Sequence, residues 1–417
     1  MCVVSTAQND RRLGTVAEVF VVFLRLGLTS FGGPIAHLGY FREAFVVRRR
    51  WLGEEAYADL VALCQFLPGP ASSQVGMAIG LQRAGARGLV AAWCGFTLPS
   101  AIALAAFSSV VAVSGDLTHE GWLLGLMAAA VAVVAQAVLG MARTLAPDAR
   151  RASIAAASAI AVLLVPGALV QLAVIVGAGV AGLLWTERAG VGRVDAGRSS
   201  EAAGRDDETG FAVPVPRAAA VAALATFGVL LVALPTIAVL TSNGTARLVA
   251  DFFRTGALVF GGGHVVLPLL DAQTVGTGMV GQGEFLAGYG AAQAMPGPLF
   301  TFSAYLGALD RGGPGGVLGA ALALVAVFLP SALLVIGALP FWQTLRTLPG
   351  ARRALAGVNA GVVGLLGAAL YDPVFTEGIG SGGALALAIA AFVALLRWAA
   401  PPWAVVVAAG LIGALAL

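Results

Sequence analysis

The chain contains the same series of motifs twice. Each of three motifs occurs once in either half of the chain: an arginine-containing apolar run that ends in a glycine turn (23–34 and 252–263), a Gln-x-x-Pro-Gly-Pro motif (65–70 and 293–298), and Leu-Pro-Ser (98–100 and 329–331). Three motifs in one order and at nearly one offset indicate an internal duplication.

The composition places both copies in a membrane. Of 417 residues, 59% are apolar and 11% are charged, whereas a soluble domain carries about 25% charged residues. Apolar stretches long enough to cross ~30 Å of hydrocarbon recur along the chain. A soluble helical protein of this composition would have to bury every helix on all sides, so we expect an all-α polytopic membrane protein. The net charge of +3 does not indicate a nucleic-acid partner.

The duplication and the apolar segments divide the chain into four parts. Residues 1–186 form the first repeat and residues 247–417 the second. Residues 187–216 are rich in charged residues, glycine, serine and alanine, which predicts a flexible linker. Residues 217–246 contain an extra apolar segment, and one additional crossing between the copies inverts the second repeat relative to the first. The basic clusters then lie at the cytoplasmic surface if the interrupted segments are re-entrant.

Two Pro-Gly-Pro interruptions form the first candidate site. Proline lacks an N–H and clashes with the preceding turn, so Pro68-Gly69-Pro70 and Pro296-Gly297-Pro298 should each end one helix and allow another to begin. The freed backbone groups are costly in hydrocarbon, so each interruption should line a protein-enclosed cavity. The helix that follows presents free N–H groups and a partial positive charge, which suit an anion. A kink that only packs helices is the simpler alternative.

Side chains near these interruptions can add hydrogen-bond donors. They are Gln65, Ser72 and Ser73 in the first copy and Gln293, Thr301 and Ser303 in the second. Amide and hydroxyl donors beside two symmetric interruptions favour an anion site over a simple kink.

Two arginines form the second candidate site. Arg25 and Arg254 each precede a glycine turn by two helical turns and should share a face with it. A guanidinium inside a membrane is costly, and its fork of donors suits a tetrahedral oxyanion. The alternatives are snorkelling to the membrane surface or ion pairs with Glu18 and Asp251.

The glycine turns either pack helices closely or let the backbone approach a ligand. Their residues are Gly32, Gly33 and Pro34 in the first copy and Gly261, Gly262 and Gly263 in the second. His264 follows the second turn directly and could donate to an anion or carry a proton, although a packing role is more usual for a membrane histidine. His37 of the first copy is offset by two positions and is not its strict counterpart.

The sequence contains no enzyme signature. It has no metal-ligand motif, nucleophile elbow or P-loop lysine. We therefore expect a protein that is not an enzyme, with no cofactor and no metal, and energised by an ion or substrate gradient.

These motifs resemble those of the chromate ion transporter family. Residues 23–42 and 65–70 are similar to its first domain, and residues 260–270 and 293–298 are similar to its second. The presence of two domains in one polypeptide resembles the long-chain members. His264 departs from the pattern, which has an aromatic residue there.

The resemblance implies a multi-pass protein of the bacterial inner membrane that exports chromate, in exchange for sulfate or driven by a proton gradient. Its partners would be a chromate- or sulfate-type oxyanion and the lipid bilayer. Alternatives are an exporter of another anion or small metabolite, or an anion channel. A homodimer is one assembly that the sequence allows.

Overall fold

The fold is built from α-helices. The computed structural model describes residues 14–31, 33–113, 120–165, 168–185, 211, 213, 215–260, 266–342 and 348–417, which contain helices and no strand. The helices of the first repeat are α1 (Val16–Thr29), α2 (Gly33–Arg42), α3 (Glu54–Phe66), α4 (Ala71–Val113), α5 (Gly121–Leu145), α6 (Ala149–Leu164) and α7 (Ala168–Trp185). A π-helical turn, Glu43–Arg48, extends α2.

The second repeat has the same order of helices. It is preceded by α8 (Arg217–Thr241) and contains α9 (Gly244–Leu258), α10 (Val266–Thr274), α11 (Gln282–Ala294), α12 (Phe302–Ala308), α13 (Gly316–Ala338), α14 (Pro349–Ala369), α15 (Thr376–Gly378), α16 (Gly382–Arg397) and α17 (Pro402–Ala416). Short 3-10 turns occupy Leu299–Thr301 and Leu339–Phe341, and a π-helical turn occupies Leu370–Phe375.

The helix lengths suit a membrane. Within the described ranges, five helices are long and apolar enough to cross a bilayer: α4, α5, α8, and α13 and α14 with the turns that extend them. Large apolar side chains such as Val229, Val232 and Leu240 of α8 are exposed, as expected of a surface that faces lipid. The predicted all-α polytopic fold with two inverted repeats and broken helices is confirmed, whereas most of the predicted linker, 187–216, lies outside the described residues.

One break in the helices differs between the copies. The long helix α4 is bent at Ala84 and Gly85, where the backbone leaves the helical region and Gly85 has a φ of 62°. At the same place the second repeat has a complete loop, residues 309–315, between α12 and α13. The first part of α4 therefore corresponds to α12, and its second part corresponds to α13.

The last two helices of each repeat pack against the other repeat. Helix α5 packs against α16 and α17, and α14 packs against α6 and α7. Both crossings depend on glycine, because a methyl group on Gly125 would clash with the carbonyl of Ala409, and one on Gly357 would clash with that of Ala178. Close approach at small residues is a usual way to pack membrane helices. The same contact occurs twice with the repeats exchanged, which indicates a pseudo-twofold relation.

Replacing Gly125 with valine should destabilise the protein. The added side chain has no room against α17, and overpacking of this kind costs about 1–3 kcal/mol. Gly140→Val on the same helix is the matched control, because an added Cβ at Gly140 meets nothing within 4 Å. Thermal unfolding of the purified protein in detergent should show a lower midpoint for Gly125→Val alone. Equal midpoints for the two variants would mean that the crossing tolerates side chains.

Candidate functional site

The two Pro-Gly-Pro interruptions connect the repeats to each other. The N–H of Gly69 donates to the carbonyl of Val259 at 2.7 Å, and the N–H of Gly297 donates to the carbonyl of Ser30 at 2.8 Å. Ser30 ends α1 and Val259 ends α9, so both acceptors occupy the same place in their repeats. Each interruption is thus held by the end of the first helix of the opposite copy.

The third repeated motif reaches the same place. Ser331 contacts Gly69, and Ser100 contacts Gly297, closely enough that a Cβ on either glycine would clash with the hydroxyl. Gly69 has a φ of 117° and Gly297 a φ of 95°, values that favour glycine. All three duplicated sequence motifs therefore meet around the interruptions, where the freed backbone groups are bonded inside the protein.

A buried histidine completes the first interruption. His37 Nε2 lies 3.2 Å from the carbonyl oxygen of Ser30, and Nδ1 lies 3.4 Å from Ser72 Oγ. One neutral tautomer satisfies both contacts, with Nε2–H as the donor to Ser30 and Nδ1 as the acceptor from Ser72. The ring also meets Phe96 edge-on, with 5.3 Å between centroids. His37 was not among the site candidates, because its counterpart in the second copy is out of register.

A polar cavity lies at the second interruption. It has a volume of about 230 Å³ and is bounded by α5, the end of α11, the interruption itself and the first residues of α2 and α17. Gln136 and Gln293 supply polar side chains to its wall, and Gly297 supplies backbone. Since a water molecule takes ~30 Å³ of liquid volume, the cavity has room for a small ion with part of its hydration shell.

Three helical segments begin at the cavity wall. They start at Gly33, Leu299 and Pro402. The first N–H groups of a helix have no partner within the helix, and the helix start carries a partial positive charge. Gln293 adds a buried side-chain amide, which also hydrogen-bonds to Tyr289, so at least one of its two N–H groups is left for a ligand. The cavity therefore offers hydrogen-bond donors and positive potential without an arginine in its described wall.

The structure places the two arginines away from this cavity. Arg25 is exposed on the outer face of α1, and Arg254 is half-buried on α9. Glu18 pairs with Arg49 and Arg83, at 3.8 and 3.7 Å, rather than with Arg25. The helical spacing predicts that each arginine shares a helix face with its glycine turn. It does not predict whether that face points into the protein, because the packing of the helices decides this.

The hydroxyl candidates are held locally. Thr301 Oγ1 donates to the carbonyl of Pro298 and Ser303 Oγ to that of Phe300, both at 2.8 Å. Ser72 contacts His37, and Ser73 Oγ is buried without a hydrogen-bond partner in the described part of the chain. Of these four candidates, only Ser73 has an uncommitted hydroxyl.

The remaining candidates divide between the surface and the undescribed segments. Gln65, the counterpart of Gln293, is exposed on α3. The backbone of Pro34 lies in the first turn of α2. Gly32, Gly261, Gly262, Gly263 and His264 lie outside the described residues. Gln136 was missed, although a glutamine in an otherwise apolar stretch of α5 is the kind of signal that could have identified it.

A family comparison decides what kind of protein carries this site. The family model described as chromate transporter matches residues 17–183 and 246–414, one match for each repeat. The chain belongs to the chromate transporter family. The two matches lie on either side of the linker and α8, and the resemblance found from the motifs is confirmed.

Curated relatives agree with this family. The chain is 29% identical to the chromate transport protein of Pseudomonas aeruginosa over 85% of this chain and 80% of the relative. It is 27% identical to the probable chromate transport protein of Synechococcus elongatus, over 86% of each chain. It is 25% identical to the chromate transport protein of Cupriavidus metallidurans, over 84% and 81% of the two chains. No solved structure matches the chain.

Proposed function

We propose that this chromate transporter family protein exports chromate across the bacterial inner membrane and binds the oxyanion in the cavity at the second interruption. Membership of the family supports a chromate transport role. The observation that carries the site assignment is the convergence of three helix starts and two glutamines on one polar cavity. Helix N-termini and amide N–H groups are the donors that oxyanions require.

A site whose described wall carries no charged side chain suits a transporter. A guanidinium in a cavity closed to water would hold a dianion strongly and slow its release. Partial charges on helix N-termini and neutral amides bind the anion less tightly, so it can leave when the site opens on the other side. We therefore assign the binding role to Gln293, to Gln136 and to the backbone near Gly33 and Leu299. Gln136 keeps one amide N–H beyond the one that donates to the carbonyl of Leu395 at 3.4 Å.

The two copies differ in a way that supports alternating access. The second interruption borders a cavity, whereas at the first one Gln74 Nε2 donates to the carbonyl of Pro68 at 2.6 Å and His37 bonds to Ser30 and Ser72. Inverted repeats that exchange these two arrangements would open the site first to one side of the membrane and then to the other.

The membrane potential favours export. Six arginines lie between the apolar segments of the first repeat, and the positive-inside rule predicts that the surface which carries them faces the cytoplasm. They are Arg42, Arg48, Arg49, Arg50, Arg83 and Arg87. Moving two negative charges out of a cell whose interior is about 100 mV negative releases about 4.6 kcal/mol, at about 2.3 kcal/mol per charge. Inward proton movement coupled to export would add to this driving force, whereas one-for-one exchange for sulfate, also a dianion, would move no net charge and would cancel it.

Everted membrane vesicles test this function directly. Labelled chromate should enter vesicles that contain the protein, should accumulate when an inside-positive potential is imposed, and should be displaced by unlabelled chromate and by sulfate. The accumulation should collapse with the potential, because the carried species is a dianion. Flux that does not saturate would indicate an anion channel, and uptake that neither chromate nor sulfate displaces would indicate a different cargo. Vesicles without the protein are the control.

A further inference from the structure

Each repeat contains a charged cluster at the same position, with the signs reversed. In the first repeat, Glu18 of α1 lies 3.7 Å from Arg83 and 3.8 Å from Arg49. In the second repeat, Arg247 takes the place of Glu18, as Arg254 takes that of Arg25. Asp310 takes the place of Arg83, because each lies three residues after a glycine that packs against the next helical segment. In the first repeat, the cluster connects α1 to the bend that leads into the second part of α4. In the second repeat, it connects α9 to the loop that leads into α13.

The second cluster has more acid than its central arginine can neutralise. Arg247 Nε lies 3.8 Å from Asp251 Oδ2, beyond hydrogen-bond distance, and its charge also acts on Asp310. In the first cluster one carboxylate faces two arginines, whereas here two carboxylates share Arg247, and Arg254 acts more weakly on Asp251 alone. The Arg247 side chain is also 53% exposed, so water weakens its hold on either partner.

Asp310 is the buried member of this cluster. The residue is 7% exposed, and its Oδ1 accepts a hydrogen bond from the N–H of Gly312 at 2.9 Å. Its Oδ2 is buried and makes no hydrogen bond of ordinary geometry in the described part of the chain, although the backbone N–H of Gly313 also acts on the carboxylate. Burial raises the pKa of Asp310, and the amides of Gly312 and Gly313 together with Arg247 only partly oppose this effect. A buried carboxylate that is incompletely paired binds a proton readily.

We propose that Asp310, together with Asp251 and Arg247, forms a proton-binding site that couples a proton gradient to transport. The proposal rests on the transport function proposed above and adds the site where the coupling ion binds. By the orientation given above, the cluster lies at the periplasmic end of the second repeat. Protons at the higher periplasmic concentration therefore reach it first, and coupling requires each bound proton to leave towards the cytoplasm after the repeats exchange conformations, as chromate leaves to the periplasm.

Protonation would act on the transport cycle through the two elements that the cluster joins. With Asp310 ionised, Arg247 attracts the loop before α13 towards the start of α9, and protonation removes that attraction. Helix α9 ends at Val259, whose carbonyl binds Gly69, and α13 carries Ser331, which contacts Gly69. Both elements therefore contact the first interruption, and loosening their connection favours its rearrangement.

The other charged groups near the cluster are accounted for. Arg254, on the next turn of α9, also acts on Asp251, but less than Arg247 does. Arg311 is engaged by Glu284 at 2.8 Å. Of the helices that pack against α9, α13 has no ionisable residue, and the Arg217 of α8 lies at the end of that helix distant from the start of α9. Helix α10 carries Asp271, whose Oδ1 accepts a hydrogen bond from Gln282 at 3.2 Å.

Transport by the full-length protein in liposomes tests this proposal. In wild type, an imposed pH gradient should change chromate accumulation, and chromate addition should move protons. Asp310→Asn should lose at least ~10-fold of the gradient-driven accumulation, yet still exchange chromate at equal pH on both sides. Glu18→Gln is the matched control, because it breaks the corresponding cluster of the first repeat and should keep the response to the gradient.

A second measurement reads the proton itself. Infrared difference spectra of the wild type should contain a carboxylic-acid band that titrates with pH and is absent from Asp310→Asn. Asp251→Asn should move this titration to lower pH, because Arg247 then serves Asp310 alone and stabilises its ionised form. A gradient response and a band that both survive in Asp310→Asn would overturn the proton site. A wild type that titrates but moves no chromate would instead overturn the proposed function.

Discussion

Gln293→Leu should reduce chromate transport by about 10- to 150-fold in kcat/KM. The side-chain amide of Gln293 is buried at the cavity wall and has a second N–H beyond its hydrogen bond with Tyr289, so an oxyanion in the cavity is a suitable acceptor. A hydrogen bond to a charged group contributes about 1.5–3 kcal/mol, and each ~1.4 kcal/mol is a factor of ten. Initial rates of labelled chromate uptake into everted vesicles measure this change.

Gln293→Glu should have a still larger effect, because it keeps nearly the same shape and adds a negative charge. Two unit charges ~5 Å apart at an effective dielectric constant of ~20 repel by about 3 kcal/mol, and a dianion doubles this figure. We expect no measurable transport. The thermal midpoint in detergent shows whether the variant is folded, so that lost transport can be attributed to charge.

Arg25→Gln provides the contrast with the hypothesis derived from the sequence. Arg25 is exposed on the outer face of α1 and does not line the cavity. If the amide and helix-terminus site is correct, Arg25→Gln should change transport less than ~3-fold, an effect of under ~0.7 kcal/mol. Transport that is abolished by Arg25→Gln and unchanged by Gln293→Leu would return the binding role to the arginine.

The sequence predicted which motifs meet in the fold better than it predicted which side chains line the cavity. The Pro-Gly-Pro motifs and the Leu-Pro-Ser motifs were recognisable because they recur, and the structure brings Gly69 to Ser331 and Gly297 to Ser100. A glycine between two prolines ends a helix in almost any surroundings, so this conclusion did not require knowledge of the tertiary contacts.

The direction in which each side chain points could not be predicted from the repeated motifs. Helical spacing fixes which residues share a face of α1, but the buried face is the one with Val19, Val22, Phe23 and Gly27, against α4. Arg25 is left on the opposite side. The hydroxyls of Thr301 and Ser303 donate to carbonyls of their own turn instead of to a ligand. The sequence alone does not show which of these acceptors a hydroxyl uses. Gln136 and His37 have no in-register partner in the other copy, so the repeat gave no reason to select them.

Gly69→Ala should cost the protein about 2–6 kcal/mol of stability and most of its transport. At a φ of 117°, a side chain strains the backbone, which costs about 1–3 kcal/mol. The new Cβ would also clash with Ser331 Oγ, and overpacking adds about 1–3 kcal/mol. The thermal midpoint and the yield of folded protein in detergent measure the loss.

Gly85→Ala separates the two causes. Gly85 also has a positive φ, of 62°, but an added Cβ there meets nothing within 4 Å. This variant should therefore show backbone strain alone and be the more stable of the two. If both variants lose equal stability, the contact with Ser331 contributes nothing.

The double variant Gly69→Ala/Ser331→Ala tests whether the interruption is clamped by the opposite repeat. Removing the Ser331 hydroxyl makes room for the new methyl group, so the double variant should regain part of the stability that Gly69→Ala loses. Residues that touch usually show coupling energies of about 0.5–3 kcal/mol, whereas distant ones add independently. Independent effects would mean that Gly69 and Ser331 are not in contact, and the two copies would then not hold each other's interruptions. Coupling of the expected size, between residues from different repeats, would instead identify this contact as one that must rearrange whenever the repeats exchange conformations.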